Sequence, residues 1–259
     1  MSRRLMGLMG LIGLVGLASF GCSKKEAEAQ AAQQTAPPVA ASAKAVAVGK
    51  KRFVVKESGS VAVMIDAPLE KFKGETKKLS GVFDVDVQDL GNSTGEVVAD
   101  LDGFVTSTFT DPDKNESQTE HAKNWFQIGE KVEKAERDDF RMARFTIEKI
   151  EKSSVKALAD AKAEGPARTI HFTAKGTLRV HGRPSPKTVE VDVTFQGPAD
   201  APTNLSFKTT APLVASLSEH DVKPRDVAGQ FLAGALEKVG KKMDDKAQIT
   251  IEGAASPQN

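Results

Sequence analysis

The sequence lacks the signatures that most catalytic sites require. Among 259 residues there is no tyrosine, one tryptophan and one cysteine. The phosphate-loop and His-Glu-x-x-His motifs are absent, and the one Gly-x-Ser-x-Gly match, Gly91–Gly95, is rich in turn residues and is expected to form a turn between strands. We therefore expect a protein that is not an enzyme, with no catalytic residue and no cofactor.

Metal-ligand spacing is missing as well. The four histidines are His121, His171, His181 and His220. By strand alternation we expect His171 and His181 on outward faces. His121 and His220, with Glu120 or Asp221, would supply donors for a metal, but their spacing matches no known ligand pattern. The sequence favours no metal site.

Charge of one sign is also missing. Lys and Arg total 36 against 35 Asp and Glu, and no basic block stands out. Nothing therefore favours nucleic acid as a partner. What the chain does have is 13 phenylalanines, whose rings carry no polar group and favour an apolar interior.

The N-terminal residues predict export and a lipid anchor. Residues 1–21 combine Arg3-Arg4, a short apolar stretch and small residues before Cys22, as in a secretory signal peptide. The segment resembles a bacterial lipoprotein signal, which implies acylation of Cys22 and membrane anchoring. Ser23 after the cysteine implies placement at the outer membrane, facing the periplasm. The alternative is a plain secretory signal cut elsewhere, with Cys22 lost.

Composition divides the remaining chain into three parts. Residues 22–50 are rich in Ala and Gln and have no aromatic residue, so we expect a disordered tether. Residues 51–254 carry the strand patterns of one β domain, and residues 255–259 are expected to form a tail.

The strand pattern is strongest between Lys175 and Phe195. Leu178 and Val180 alternate with polar residues, and Val189 to Phe195 does the same after a Gly/Pro-rich break. This predicts an antiparallel hairpin. The break at Gly182–Lys187 contains two prolines and is expected to be a loop longer than two residues.

Similar alternation predicts about eight or nine strands in all. Residues 110–118 are expected to form a polar loop, followed by one or two helical turns at Glu120–Ile128. A helix is expected at 227–242, after Asp226 as its cap. Many strands with evenly spaced turns predict an all-β fold, as a barrel or sandwich. An eight-stranded barrel would be filled by its own side chains or would hold one ligand.

The order of segments resembles the YceI-like family. Gly81–Asp86 is similar to its Gly-x-Phe strand, Trp125-Phe126 to its aromatic pair, and Gly176, Leu178 and Gly182 to its Gly-x-Leu-x-x-x-Gly hairpin. The resemblance implies an antiparallel, eight-stranded, lipocalin-like barrel, with a short helix after the aromatic pair and a C-terminal helix. It also implies a periplasmic protein that binds a long-chain isoprenoid or another lipid.

On this basis the inward faces are predicted to line a lipid cavity. The lining residues would be Phe83, Val85, Leu101, Phe104, Trp125, Phe126, Phe145, Ile147, Phe172, Leu178, Val180, Val191, Val193 and Phe207. The alternative is a structural or partner-binding lipoprotein in which these side chains pack against each other and no ligand binds. The charged segment Glu219–Asp226 is expected to be a solvated turn or, alternatively, a polar cap over the barrel mouth.

Overall fold

The fold is taken from a computed structural model, which describes residues 49–56, 58–67, 71–225 and 244–258. The predicted signal peptide, Cys22, most of the tether and the helix predicted at 227–242 lie outside these residues.

The described residues form twelve strands and two α-helices. The strands are β1 (Lys51–Lys56), β2 (Gly59–Ile65), β3 (Phe72–Thr76), β4 (Leu79–Val85), β5 (Thr94–Asp100), β6 (Val105–Thr106), β7 (Met142–Ser153), β8 (Ala167–Val180), β9 (Arg183–Gln196), β10 (Asn204–Thr209), β11 (Leu213–Ser216) and β12 (Lys246–Pro257). The helices are α1 (Pro112–Trp125) and α2 (Lys134–Phe140). Short 3₁₀ turns lie at Leu90–Asn92, Leu101–Gly103 and Leu158–Asp160.

The strands close into an eight-stranded antiparallel barrel, as predicted. Its order is β1-β4-β5-β7-β8-β9-β10-β12, and β12 pairs with β1 through Phe53 opposite Pro257 and Val54 opposite Ser256. Four barrel strands are interrupted: β1 continues as β2, β3 as β4, β5 as β6, and β10 as β11. The register supports this, because β2 pairs with β3 just as β1 pairs with β4.

Consecutive barrel strands run antiparallel, so their connections alternate between the two ends. One end, here called the helical end, carries α1, α2, the β8–β9 turn and the segment Leu217–Arg225. The opposite end carries the loops 86–93, 154–166 and 197–203. There Leu90 and Leu158 are fully buried, and their amides donate to the carbonyls of Lys156 and Val87 at 2.8 and 2.9 Å. These hydrogen bonds join loops 86–93 and 154–166, which together close the opposite end.

The turn between β8 and β9 is shorter than predicted. Only His181 and Gly182 connect the strands, with φ angles of 50° and 71°. Positive φ at both positions is the geometry of the tight type I′ turn, which follows the twist of the flanking strands.

The two prolines predicted to lie in a loop are part of β9. Pro184 stands opposite Arg179 and Pro186 opposite Thr177. Alternation of the hydrogen-bonded pairs points both proline nitrogens away from β8. On that side β10 pairs only with residues 191–196, so no neighbouring strand needs an N–H group from Pro184 or Pro186.

The helices also correct the prediction. α2 is the short helix expected after the aromatic pair, but α1 replaces the polar loop expected at Thr110–Gln118. Asp111 caps α1 by accepting from the Asp113 amide, and Pro112 occupies the first turn, where it costs no hydrogen bond. Only Thr119 and Ala122 of α1 are buried, so the sequence shows no apolar stripe. No helix in the described part of the chain is long and apolar enough to cross a bilayer.

The last strand extends past the predicted domain boundary at residue 254. β12 runs to Pro257, and Ala255 is buried opposite Leu205 of β10. Residues 255–257 therefore belong to the barrel wall and not to a tail.

Candidate functional site

The barrel interior contains two apolar cavities. The distal cavity, of about 90 Å³, lies toward the opposite end. The helical-end cavity, of about 100 Å³, lies beneath α1 and the segment Leu217–Arg225. Three residues line both cavities and form a waist between them: Val97, Phe145 and Ile251.

All fourteen residues predicted to line a cavity do so. Those on the distal cavity are Phe83, Val85, Phe145, Ile147, Phe172, Val191, Val193 and Phe207. Those on the helical-end cavity are Leu101, Phe104, Trp125, Phe126, Phe145, Leu178 and Val180. The strand period brings them together, because alternate side chains of each strand face the barrel axis. That they bind a ligand stays a prediction.

Phenylalanine rings form part of the lining of both cavities and pack against each other. Phe83 and Phe207 meet edge to face with centroids 5.2 Å apart, and Phe104 and Phe126 do so at 5.8 Å. Phe72 stacks on Phe104 at 6.3 Å. Such ring pairs are held by dispersion and quadrupole contacts and make no hydrogen bonds.

Sequence reasoning missed part of the lining. Val61, Val63, Ile65, Ile249 and Ile251 line the cavities, although the same alternation that revealed the other strands was present in theirs. Val222 and His220 are a different case. They lie in an irregular segment, where no period indicates which side chains face inward.

The segment Leu217–Arg225, called the cap from here on, is not a solvated turn. His220 is only 2% exposed and lines the helical-end cavity. Backbone hydrogen bonds within the cap fold it into a compact turn, because the amides of His220 and Val222 both donate to the Leu217 carbonyl. The structure thus supports the alternative, a cap over the barrel mouth.

Ion pairs and hydrogen bonds fasten the cap to the barrel. Glu219 accepts from Ser185 and from Lys187, whose ammonium lies 3.0 Å from the carboxylate, and these contacts hold the pKa of Glu219 below its usual value. Both partners lie on inward positions of β9. Their bonds to Glu219 anchor one side of the cap.

A second cluster forms around Asp221. Its carboxylate lies 2.6 Å from the Lys223 ammonium, 2.9 Å from Arg225 and 3.5 Å from Arg183. Hydrogen bonds from Lys223 and Arg225 place the pKa of Asp221 well below its usual value. Arg225 also donates to the carbonyls of Asp221, at 2.6 Å, and of Trp125, at 3.5 Å, which joins the cap to the end of α1.

His181 lies inside this end and not on an outward face as predicted. It is 4% exposed and its ring packs on Phe140, with centroids 4.0 Å apart. The positive φ of His181 turns the side chain out of the strand alternation, which explains the error. Burial, with a smaller contribution from Arg225, lowers its pKa to about 4. His171 does face outward, 2.8 Å from Asp192.

The residues considered for a metal do not converge. His220 faces the Arg183 carbonyl, and Asp221 is engaged by three cations. Within the described ranges, no group of three His, Cys, Asp or Glu side chains could hold a metal ion.

Fold and interior define a class: a closed antiparallel barrel with an apolar, two-chambered core, capped at one end. A family model for the YceI-like domain matches residues 52–255. The chain therefore belongs to the YceI-like family, as its sequence predicted.

Two solved structures share the fold. A polyisoprenoid-binding domain from Saccharophagus degradans, implicated in plant cell wall breakdown, has a TM-score of 0.51 at 11% identity, covering 81% of this chain and 99% of that one. BcnA of Burkholderia cenocepacia has a TM-score of 0.50 at 18% identity, covering 78% and 99%. No curated protein matches the chain by sequence.

Proposed function

We propose that this protein binds a long-chain isoprenoid or a similar amphiphilic lipid inside its barrel. The observation that carries the proposal is the pair of apolar cavities aligned through the waist of Val97, Phe145 and Ile251. Membership of the YceI-like family and the structural likeness to a polyisoprenoid-binding domain support it. We propose a binding role and not a catalytic one.

The cavity volumes set a condition on this binding. About 90 and about 100 Å³ are well below the roughly 300–1,000 Å³ of ordinary ligand pockets. A long chain must therefore displace side chains at the waist and join the two cavities. Each buried CH₂ contributes about 0.8 kcal/mol, so a prenyl chain of a few isoprene units can offset this rearrangement.

The same volumes favour a second candidate: a structural or partner-binding lipoprotein whose barrel is filled by its own rings. Extraction of the purified protein with organic solvent, followed by mass spectrometry, separates the two. We expect a co-purified prenyl or other long-chain lipid. Repeated absence of lipid, together with no uptake of added prenyl alcohol, would support the filled barrel instead.

A matched pair of variants tests whether the interior is the binding site. Ala215, 4% exposed, lines the helical-end cavity, while its neighbour Val214 faces outward and is 46% exposed. We expect Ala215→Phe to weaken prenyl alcohol binding at least about tenfold, and Val214→Phe to change it by less than about twofold. Thermal melts show whether both variants remain folded. Equal affinities in two folded variants would place the lipid outside the barrel.

We further propose that acylation of Cys22 anchors the protein to the outer membrane on its periplasmic face. The lipoprotein-like signal at residues 1–21 and Ser23 support this. More than one acyl chain gives stable membrane attachment, whereas a single chain binds only marginally. Cys22→Ser should move the protein into the soluble periplasmic fraction, with Ser23→Ala as a control that stays in the membrane. If Cys22→Ser remains membrane-bound, the anchor is elsewhere.

A further inference from the structure

Two buried polar groups at the helical-end cavity have no hydrogen-bond partner among the described residues. One is Nε2 of His220, on a side chain that is 2% exposed. The other is Nε1 of Trp125, the only tryptophan of the chain. Both residues line the same cavity. A buried polar group left unpaired costs about 1–3 kcal/mol, so two of them at one otherwise apolar cavity call for a physical explanation.

The partner of His220 fixes which of its nitrogens carries the proton. Nδ1 lies 3.0 Å from the carbonyl oxygen of Arg183, and a carbonyl can only accept, so Nδ1 is the donor. Burial, helped by Lys187, lowers the pKa of His220 and outweighs the opposing effects of the Arg183 carbonyl, Glu219 and the Val180 carbonyl. The ring is therefore neutral at pH 7, and its Nε2 carries a free lone pair.

Trp125 has the complementary property, because indole Nε1–H can only donate. The Arg225 side chain ties the two residues to the same end of the barrel by bonding both the Trp125 carbonyl and Asp221, the neighbour of His220. Two residues that line the same apolar cavity thus carry one unpaired hydrogen-bond donor and one unpaired acceptor.

We propose that Trp125 and His220 form a subsite for the hydroxyl group of a long-chain alcohol. The hydroxyl accepts from Trp125 Nε1 and donates to His220 Nε2, while the chain extends past Val97, Phe145 and Ile251 into the distal cavity. A hydroxyl satisfies both atoms, whereas an ether or a quinone carbonyl only accepts and leaves Nε2 unpaired. The inference rests on the proposed lipid binding and names the head group that this site selects.

The test compares an alcohol with its methyl ether, in which a methyl group replaces the hydroxyl hydrogen. The delipidated full chain is titrated by calorimetry with geranylgeraniol and with its methyl ether. We expect the alcohol to bind about 3- to 10-fold more tightly, the range of one net hydrogen bond. In His220→Phe the two affinities should become equal. In Trp125→Phe both should weaken by a similar factor, because both ligands accept from the indole.

His171→Phe is the matched control, since His171 lies outside the barrel against Asp192. It should keep the preference for the alcohol. Equal binding of alcohol and ether by the unmodified protein overturns the hydroxyl subsite but leaves lipid binding intact. Binding of neither ligand overturns the proposed function, and the subsite with it. The comparison in the unmodified protein decides the matter even if a variant fails to fold.

Discussion

At the scale of single residues, His181 shows how one backbone angle changes the role of a side chain. Its φ of 50° places it in the left-handed region, where non-glycine residues are uncommon. The side chain leaves the alternation of β8 and packs between Phe140 and the cap. Burial has the largest effect on its pKa; Arg225 and Arg183 lower the pKa further, and Asp221 and the His220 backbone raise it.

This burial predicts a loss of stability in acid. The folded-state pKa is about 4, below the ordinary value of about 6.5, so between these pH values the unfolded chain binds more protons. The contribution of His181 is thus complete above pH 6.5 and is lost as the pH falls toward 4, by about 3 kcal/mol. His220, whose pKa is also lowered, acts in the same direction.

His181→Asn tests this, because asparagine tolerates positive φ and does not titrate. Between pH 7 and pH 4 the free energy of unfolding, measured with urea, should fall less in the variant than in the parent protein. Parallel curves would show that His181 is not held neutral in the folded state.

At the scale of elements, the β7–β8 pair depends on a glycine that lets two strands approach. Gly176 stands opposite Ile147, and a Cβ added there would lie 2.1 Å from the Thr146 carbonyl oxygen and 3.0 Å from the Phe145 ring. The obstacle is backbone, which cannot rotate away. The register of β7 also shifts next to this position, between Ile147 and Lys149.

We therefore expect Gly176→Ala to destabilise the protein by about 1–3 kcal/mol, as overpacking does. Gly91→Ala is the control, because its nearest contact is a side-chain oxygen of Asp89 at 3.3 Å and its φ is not positive. Urea unfolding of both variants measures the difference. Equal stability would mean that β7 moves aside at little cost, and that the close approach is not a constraint.

At the scale of the whole molecule, the C-terminal strand closes the barrel. β12 pairs with β10 and β11 on one side and with β1 and β2 on the other, so it joins the end of the chain to its beginning. Without residues 254–257, Phe53 and Val54 lose their partners on β12 and pair only with β4, and Leu205 loses its contact with Ala255.

Truncation after Gly253 should therefore lower the free energy of unfolding by at least about 2 kcal/mol, or roughly 4–8 °C in Tm. Among the described residues, truncation after Pro257 removes the hydrogen bond from the Gln258 amide to the Arg52 carbonyl, at 2.9 Å, and should cost about 1 kcal/mol or less. Thermal melts of the two proteins compare the effects. If the two truncated proteins have the same Tm, closure by residues 254–257 is not what stabilises the barrel.

Alternation in the sequence predicted the all-β fold and the inward faces of the strands, and the resemblance to the YceI-like family selected a barrel over a sandwich. Alternation depends only on the geometry of a strand, so Phe83, Phe145 and Val193 could be assigned inward before any tertiary contact was known. The tertiary structure decided what lacks a period: the two-residue turn at His181-Gly182, the polar helix α1, and the cap that buries His220. Only the tertiary structure shows that Val97, Phe145 and Ile251 form a waist. The distances between side chains on strands far apart in sequence depend on how the closed barrel packs, and no local sequence pattern encodes them.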